Sequence, residues 1–394
     1  MRMRKATSAL VGLLLAGVAA TPAHAATIRS QQWHLDAMKA DEMWKITTGK
    51  GITVAVIDTG VDQIPELTGQ VLPGKAFPVK DAEVGRDNDY YGHGTAMAGM
   101  IAGTGKHPSG DGAYGLAPGT KILPIRVPDM LEGASTPSIV EAIRYAADTE
   151  AKVINISMGL PSKPEEDAGR AAAVKYALSK GKLIFAAVGN YGDSTNELAY
   201  PAGTPGVVGV GAVDANGEPT KESMHGPQVD MAAPGIDIAS SCKGKTGLCK
   251  SHGTSDANAL ASASAALLWS VHPDWTNNQV LRVLLNTAGK PVDGSARNDY
   301  IGYGIARPNA ALKNPGDPGP ADVYPLPDLA AAANAGKSPS PSTDGKAPDA
   351  AASEPAAKAE EKKSGSSLPW IALGLGACVL IGGAVTVVVV RRNR

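Results

Sequence analysis

Four residues, far apart in the chain and set among glycines, have the side chains that acyl transfer requires: Asp58, His93, Asn190 and Ser255. They stand in Asp58-Thr59-Gly60, Gly92-His93-Gly94-Thr95, Val188-Gly189-Asn190 and His252-Gly253-Thr254-Ser255. A serine hydroxyl attacks a carbonyl when an imidazole takes its proton and a carboxylate holds that imidazole in one tautomer. The oxyanion that forms must then meet a hydrogen-bond donor. Here there is one residue for each task, and the chain order Asp, His, Ser is one of those in which the constellation recurs. Singly each is weak evidence, since a serine at a helix start is most often a cap and an aspartate after a strand a turn residue. The combination of four is specific.

Such groups need a scaffold that brings them to one place. Residues 52–57, 121–127, 153–157, 183–188 and 206–213 are short apolar runs, most of them rich in β-branched residues and of buried-strand type. Helical stretches lie between them. Thr136-Pro137 opens one, and Ile139, Val140, Ile143, Ala146 and Ala147 supply its apolar stripe. Another covers about 165–180, a third starts near Ser255, and Thr276 to Gln279 forms a capping box for a fourth. The alternation predicts an α/β fold, a mainly parallel sheet with helices on both faces. Ligands bind such sheets at the carboxyl ends of the strands, where Asp58 and Asn190 fall.

Other chemistries lack their parts. Val56-Ile57-Asp58-Thr59-Gly60 imitates an aspartic-protease motif, but no second Asp-Thr/Ser-Gly is present. Ala76 stands where a phosphate-binding loop needs Ser or Thr, and no His-Glu-x-x-His occurs. No metal ligands or cofactor are assigned. His34, His107, His225 and His272 are expected to be surface or satisfied structural groups. Among 394 residues, 37 Lys and Arg balance 38 Asp and Glu, without the basic excess of a nucleic-acid binder.

The ends of the chain give an address. Residues 1–25 have a basic head, an apolar centre and Ala23-His24-Ala25, the pattern of a cleaved signal peptide. Residues 370–390 carry no charge, about 31 Å of helix at 1.5 Å per residue, and Arg391, Arg392 and Arg394 follow. A transmembrane helix at 369–390 with a cytoplasmic tail at 391–394 is expected, the body lying outside the cell membrane. Residues 314–368, rich in Pro and Ala, are expected to be a disordered tether, leaving 26–313 as the folded body. In an oxidising compartment Cys242 and Cys249 are expected to form a disulfide worth roughly 2–3 kcal/mol.

The chain resembles the subtilisin family in Val54 to Asp62, Gly92 to Thr95, Val153 to Gly159, Ala187 to Asn190 and Gly253 to Ser255. Pro201-Ala202, Val210 to Val213, Ala233-Pro234-Gly235 and Tyr303 to Pro308 extend the resemblance over about 33–312. With its tether and terminal span it is similar to mycosins, the membrane-anchored subtilases of type VII secretion systems. The resemblance implies a three-layer subtilisin-like fold and a serine endopeptidase acting on polypeptides. It implies catalytic Asp58, His93 and Ser255, an oxyanion donor in Asn190, and substrate backbone bonded along Ser157, Met158 and Gly159. A partner in the secretion membrane complex follows from it, as does the rival reading of a catalytically weak structural subunit. Two positions depart from the family pattern. Ala259 stands where a proline is usual, and Asp256 puts a negative charge beside Ser255, which is expected to lower activity.

Overall fold

The structure, a computed structural model, describes residues 27–77, 89, 91–128, 136–161, 168–243 and 247–335. The expected signal peptide, the terminal span, the cytoplasmic tail and the part of the tether from 336 onward lie outside these residues.

The strands are β1 (Thr53–Asp58), β2 (Lys75–Ala76), β3 (Lys121–Arg126), β4 (Val153–Ile156), β5 (Leu160–Pro161) and β6 (Leu183–Ala187). They continue with β7 (Ala199–Tyr200), β8 (Val208–Val213), β9 (Met231–Pro234), β10 (Ile238–Ser241) and β11 (Leu248–Ser251). Seven form one sheet in the order β2-β3-β1-β4-β6-β8-β9, every pair parallel. The helices are α1 (Ile28–Gln31), α2 (Trp33–Ala37), α3 (Ala40–Met43), α4 (His93–Ala102) and α5 (Thr136–Ala147). After them come α6 (Ala168–Ser179), α7 (Thr254–Val271), α8 (Asn277–Thr287), α9 (Pro308–Lys313) and α10 (Asp328–Ala335).

Successive strand residues point to opposite faces, so each strand feeds two cores. Val54 and Val56 of β1 join α4, α7 and α8, while Ala55 and Ile57 join the stripe of α5 and Ala173, Val174 and Ala177 of α6. This is the expected three-layer architecture. Helix α7 is buried along most of its length, and its Ala and Ser residues let it lie close to the sheet. The capping box is formed, Thr276 Oγ1 accepting from Gln279 N and Gln279 Oε1 from Thr276 N. Among the described residues no helix is long and apolar enough to cross a membrane.

Two expectations need correcting. The first is the tether, which composition starts at 314. Residues 318–328 lie on the body instead. Arg282 of α8 donates to the carbonyls of Pro318 and Pro320 at 2.7 and 3.0 Å and to that of Val323. Gln279 donates to Gly319 O at 2.9 Å, and Thr276 and Asn278 both reach Ala321 O. Leu326 is buried, and Asp328 accepts the Gly206 N–H at 2.5 Å. A proline-rich segment lacks apolar bulk, but its carbonyls are open to donors from a neighbouring helix.

The second is the disulfide. Cys242 and Cys249 are free thiols. The β10–β11 register sets Cys249 opposite Ser240, and Cys242 N–H instead reaches Gly247 O. The side chains still interact: a hydrogen bond between the thiols pushes Cys242 up and Cys249 down from the ordinary thiol range.

Candidate active site

Strand β1 ends at Asp58, whose side chain is fully buried. Its Oδ1 accepts the Thr59 N–H at 2.8 Å and lies 2.7 Å from His93 Nδ1. That contact fixes the imidazole with its proton on Nδ1, so that Nε2 is left free to accept. Asp58 Oδ2 has no hydrogen-bond partner. His93 is the first residue of α4, and its side chain is 39% exposed. Gly94 explains how the helix comes so near: a Cβ there would lie 2.1 Å from Gly60 O and 3.0 Å from Asp58 Cβ. Only glycine allows that approach.

Ser255 lies in the first turn of α7, which packs against α4. Its hydroxyl donates to the Ser157 carbonyl at 3.2 Å, and Ser157 Oγ returns a bond of 3.2 Å to Ser255 O. Beneath this exchange Asn155 Oδ1 accepts from Asn258 Nδ2 at 2.9 Å and from Ser262 Oγ at 3.0 Å, all within the core. The end of β4 is thereby tied to the start of α7. Asn190, just after β6, accepts the N–H and the hydroxyl of Thr254 on its Oδ1, each at 2.9 Å. Its Nδ2 donates to no acceptor among the described residues. Gly253, at φ +132°, makes room for that amide, since a Cβ would meet Asn190 Nδ2 at 2.7 Å. Ser255 N–H belongs to the first helical turn and has no acceptor within α7.

The structure thus joins Asp58 to His93, Ser255 to Ser157, and Asn190 to the residue before Ser255. A hydrogen bond between Ser255 and the His93 ring is not formed. Catalytic contacts of this kind are often long without substrate. Met158 and Gly159 are half-buried and continue from Ser157 towards β5.

Burial alone would lower the His93 pKa, but the Asp58 charge and hydrogen bond, with Asp256 and Asp89 adding to them, raise it to about 9. Asp256 is 1% exposed. Burial raises its carboxyl to about 6, against the stabilising Ser251 hydrogen bond of 2.7 Å and the nearby His93. Above that pH it is an anion and favours the imidazolium. Asp256→Asn, which keeps an acceptor for Ser251, should therefore move the His93 titration, followed by ring-proton NMR, about 0.5–1 pH unit towards acid. An unmoved titration would mean that Asp256 exerts no charge at His93.

Three features were missed in the sequence. Asp89 is fully buried and accepts from both sides of the His93 loop. Lys243, from the Cys242 hairpin, pairs with Asp62 at 3.0 Å and reaches the Asp89 carbonyl. His252, three residues before Ser255, pairs with Glu222 at 2.8 Å, which raises its pKa. Asp89 and Lys243 have no local motif, and His252, although it stands in the motif that carries Ser255, has its partner Glu222 30 residues away; each needs the fold. Of the other histidines, His225 stacks on Tyr300, His272 stacks on Trp275, and His107 bonds Ser109. His34 is buried with its Nδ1 unpartnered, and burial, with Arg29 adding, lowers its pKa to about 3. It is not a satisfied group. Among the described residues no three His, Cys, Asp or Glu side chains are grouped to hold a metal ion.

Comparison with known proteins bears on this arrangement. A model of the subtilase family matches residues 49–304. A thermophilic serine proteinase of Bacillus sp. (strain AK1) is 37% identical over 266 residues, 67% of this chain and 62% of that protein. Subtilisin Savinase of Lederbergia lenta is 34% identical over 68% of this chain and 92% of its own length. The chain therefore spans less than two thirds of the first of these relatives. Among solved structures, MycP1 from Mycobacterium smegmatis is 30% identical with a TM-score of 0.66, covering 77% of this chain and 89% of that one. The periplasmic assembly from the ESX-5 inner membrane complex contains a chain 27% identical, with a TM-score of 0.64, over 82% of this chain and 90% of that one.

Proposed function

From membership of the subtilase family, to which this chain belongs, we propose that the protein is a serine endopeptidase working through Asp58, His93 and Ser255. The observation that carries the reading is the 2.7 Å bond between the buried Asp58 carboxyl and His93 Nδ1. A buried carboxyl facing an imidazole, with the Ser255 hydroxyl at the start of the neighbouring helix α7, is the set of groups that acyl transfer uses.

The mechanism follows from the atoms. An extended polypeptide lies along Ser157, Met158 and Gly159, and one of its backbone N–H groups competes for the Ser157 carbonyl. The Ser255 hydroxyl is then released and turns to His93 Nε2. His93 takes the proton as Ser255 Oγ attacks the scissile carbonyl, and Asp58 stabilises the imidazolium. The oxyanion is met by Asn190 Nδ2 and the Ser255 N–H. His93 protonates the departing amine, and water releases the acyl group by the same steps in reverse.

We place this peptidase outside the cell, led there by the signal peptide of residues 1–25 and held by the span of 369–390. No cofactor enters the scheme. The likeness to MycP1, a component of the type VII (ESX-1) secretion system, and to a chain of the ESX-5 inner membrane complex supports a role beside a type VII secretion complex, with secreted polypeptides as substrates. Asp256, buried next to the nucleophile, favours a second reading, a weakly active structural subunit of that complex.

A fluorophosphonate separates the two. Incubated with the purified protein, it should form a covalent adduct that mass spectrometry maps to Ser255, at a rate rising with pH as His93 becomes neutral. A folded protein left unlabelled up to pH 10 would favour the scaffold.

A further inference from the structure

We propose that Asp89 is a positioning residue that sets the distance between Asp58 and His93 by tying the turn after β1 to the first turn of α4. The proposal deepens the reading above and rests on it for its kinetic consequences.

The carboxyl of Asp89 is fully buried and accepts five hydrogen bonds from two separate segments. On one side Thr59 Oγ1, from the residue after Asp58, donates to Oδ1 at 2.8 Å. On the other, Oδ1 accepts Tyr91 N–H at 3.1 Å and Gly92 N–H at 2.7 Å, the two residues before His93. Oδ2 accepts the N–H and the hydroxyl of Thr95, two residues after His93, at 2.8 and 2.6 Å. Thr59 Oγ1 completes the link by accepting Gly94 N–H at 3.0 Å. One carboxyl therefore gathers otherwise orphaned donors at the start of α4, a favourable place for negative charge, and fastens them to Asp58's neighbour.

Asp89 is fixed in turn from outside. Its N–H donates to Asp62 Oδ1 at 2.9 Å, and Lys243 bridges its carbonyl and Asp62 Oδ2. The carboxyls whose charge acts on His93 come from three elements: Asp58 on β1, Asp89 before α4 and Asp256 on α7. Asp58 alone bonds the ring. Asp89 acts through the backbone of α4.

Charge is not the whole of its role, because four of its five bonds hold the loop geometry. Asp89→Asn keeps the size but turns an N–H₂ towards donors, at either the Thr95 or the Gly92 side. The helix start should then shift against Asp58. A displacement of about 1 Å costs up to about 100-fold in rate.

The test uses the intact protein and two readouts. The first, independent of turnover, is the low-field NMR resonance of the His93 Nδ1 proton shared with Asp58. It should be sharp in the wild type, broadened or lost in Asp89→Asn, and shifted but present in the milder Thr59→Val. The second is peptide hydrolysis. Asp89→Asn should lower kcat 10- to 100-fold with KM within twofold, and Thr59→Val 3- to 10-fold. An unchanged resonance and an unchanged kcat in folded Asp89→Asn would overturn the proposal. So would a loss of activity that follows thermal stability alone, in both variants, with the resonance intact. If the wild type neither hydrolyses peptides nor takes the fluorophosphonate, the peptidase reading fails, and the resonance alone still decides for or against Asp89.

Discussion

Asp58→Asn should lower kcat by about 10³–10⁴-fold and leave KM nearly unchanged. The two ways an amide can occupy this site both lead there. With its oxygen at the Oδ1 position it still accepts from Thr59 N–H and His93 Nδ1–H, but the negative charge that stabilises the imidazolium is gone. The amide N–H₂ then falls at Oδ2, where no partner exists, leaving buried donors unpaired. With the amide reversed, an N–H faces His93 Nδ1 and the ring proton moves to Nε2, which can no longer accept from Ser255. In either case the His93 pKa drops well below about 9, since the Asp58 charge is the main influence raising it. Steady-state kinetics with a peptide substrate and a ring titration measured on the same sample would check both parts. A kcat within tenfold of wild type would show that Asp58 does not act through the imidazole.

Much of this centre is legible in the sequence alone, for a definite reason. Strand ends are written locally: the apolar run into Asp58 and the run into Asn190 each declare where a parallel strand stops. Glycines mark close approaches, and Gly94 and Gly253 stand where a Cβ would collide with Gly60 O and with Asn190. The alternation of Val54 and Val56 with Ala55 and Ile57 is a local property as well, and it announces a sheet covered on both faces.

What escaped the sequence was every relation carried by polar side chains across long separations. Asp89 lies four residues before His93 with nothing around it to distinguish it from a loop aspartate, and its importance resides in Thr59, 30 residues away. Arg282 holds a segment about 40 residues further on, whose composition taken alone reads as disordered. Hydrophobic patterning detects burial of side chains, whereas that segment is retained through its own carbonyls. The cysteine pair was legible only as far as its contact. Spacing and compartment argued for a bond; the β10–β11 hairpin does bring the two side chains into contact, but they stand there as free thiols sharing a hydrogen bond. Asp256 was visible as a departure, but its depth and its reach to His93 were not.

On the proposed mechanism, Asn190→Ala should lower kcat by about 10²–10³-fold, again with little change in KM, because the donor it removes would meet charge that exists only in the transition state. The substitution has a second effect that must be separated from the first. Asn190 Oδ1 holds Thr254 through two bonds of 2.9 Å, so alanine also frees the start of α7 and could displace Ser255. Asn190→Asp keeps those acceptors and the side-chain shape while replacing the Nδ2 donor with an oxygen. If the donor is what matters, Asp is at least as damaging as Ala, its charge opposing the oxyanion beside Asp256. If the anchor for Thr254 is what matters, Asp keeps most of the wild-type rate and only Ala fails. Fluorophosphonate labelling offers a cross-check, since its phosphoryl oxygen occupies the same position. Its second-order rate should fall in step with kcat/KM for both variants. Rates within threefold of wild type for Asn190→Asp, in hydrolysis and labelling alike, would remove Asn190 from the oxyanion site and leave it the smaller task of holding Thr254.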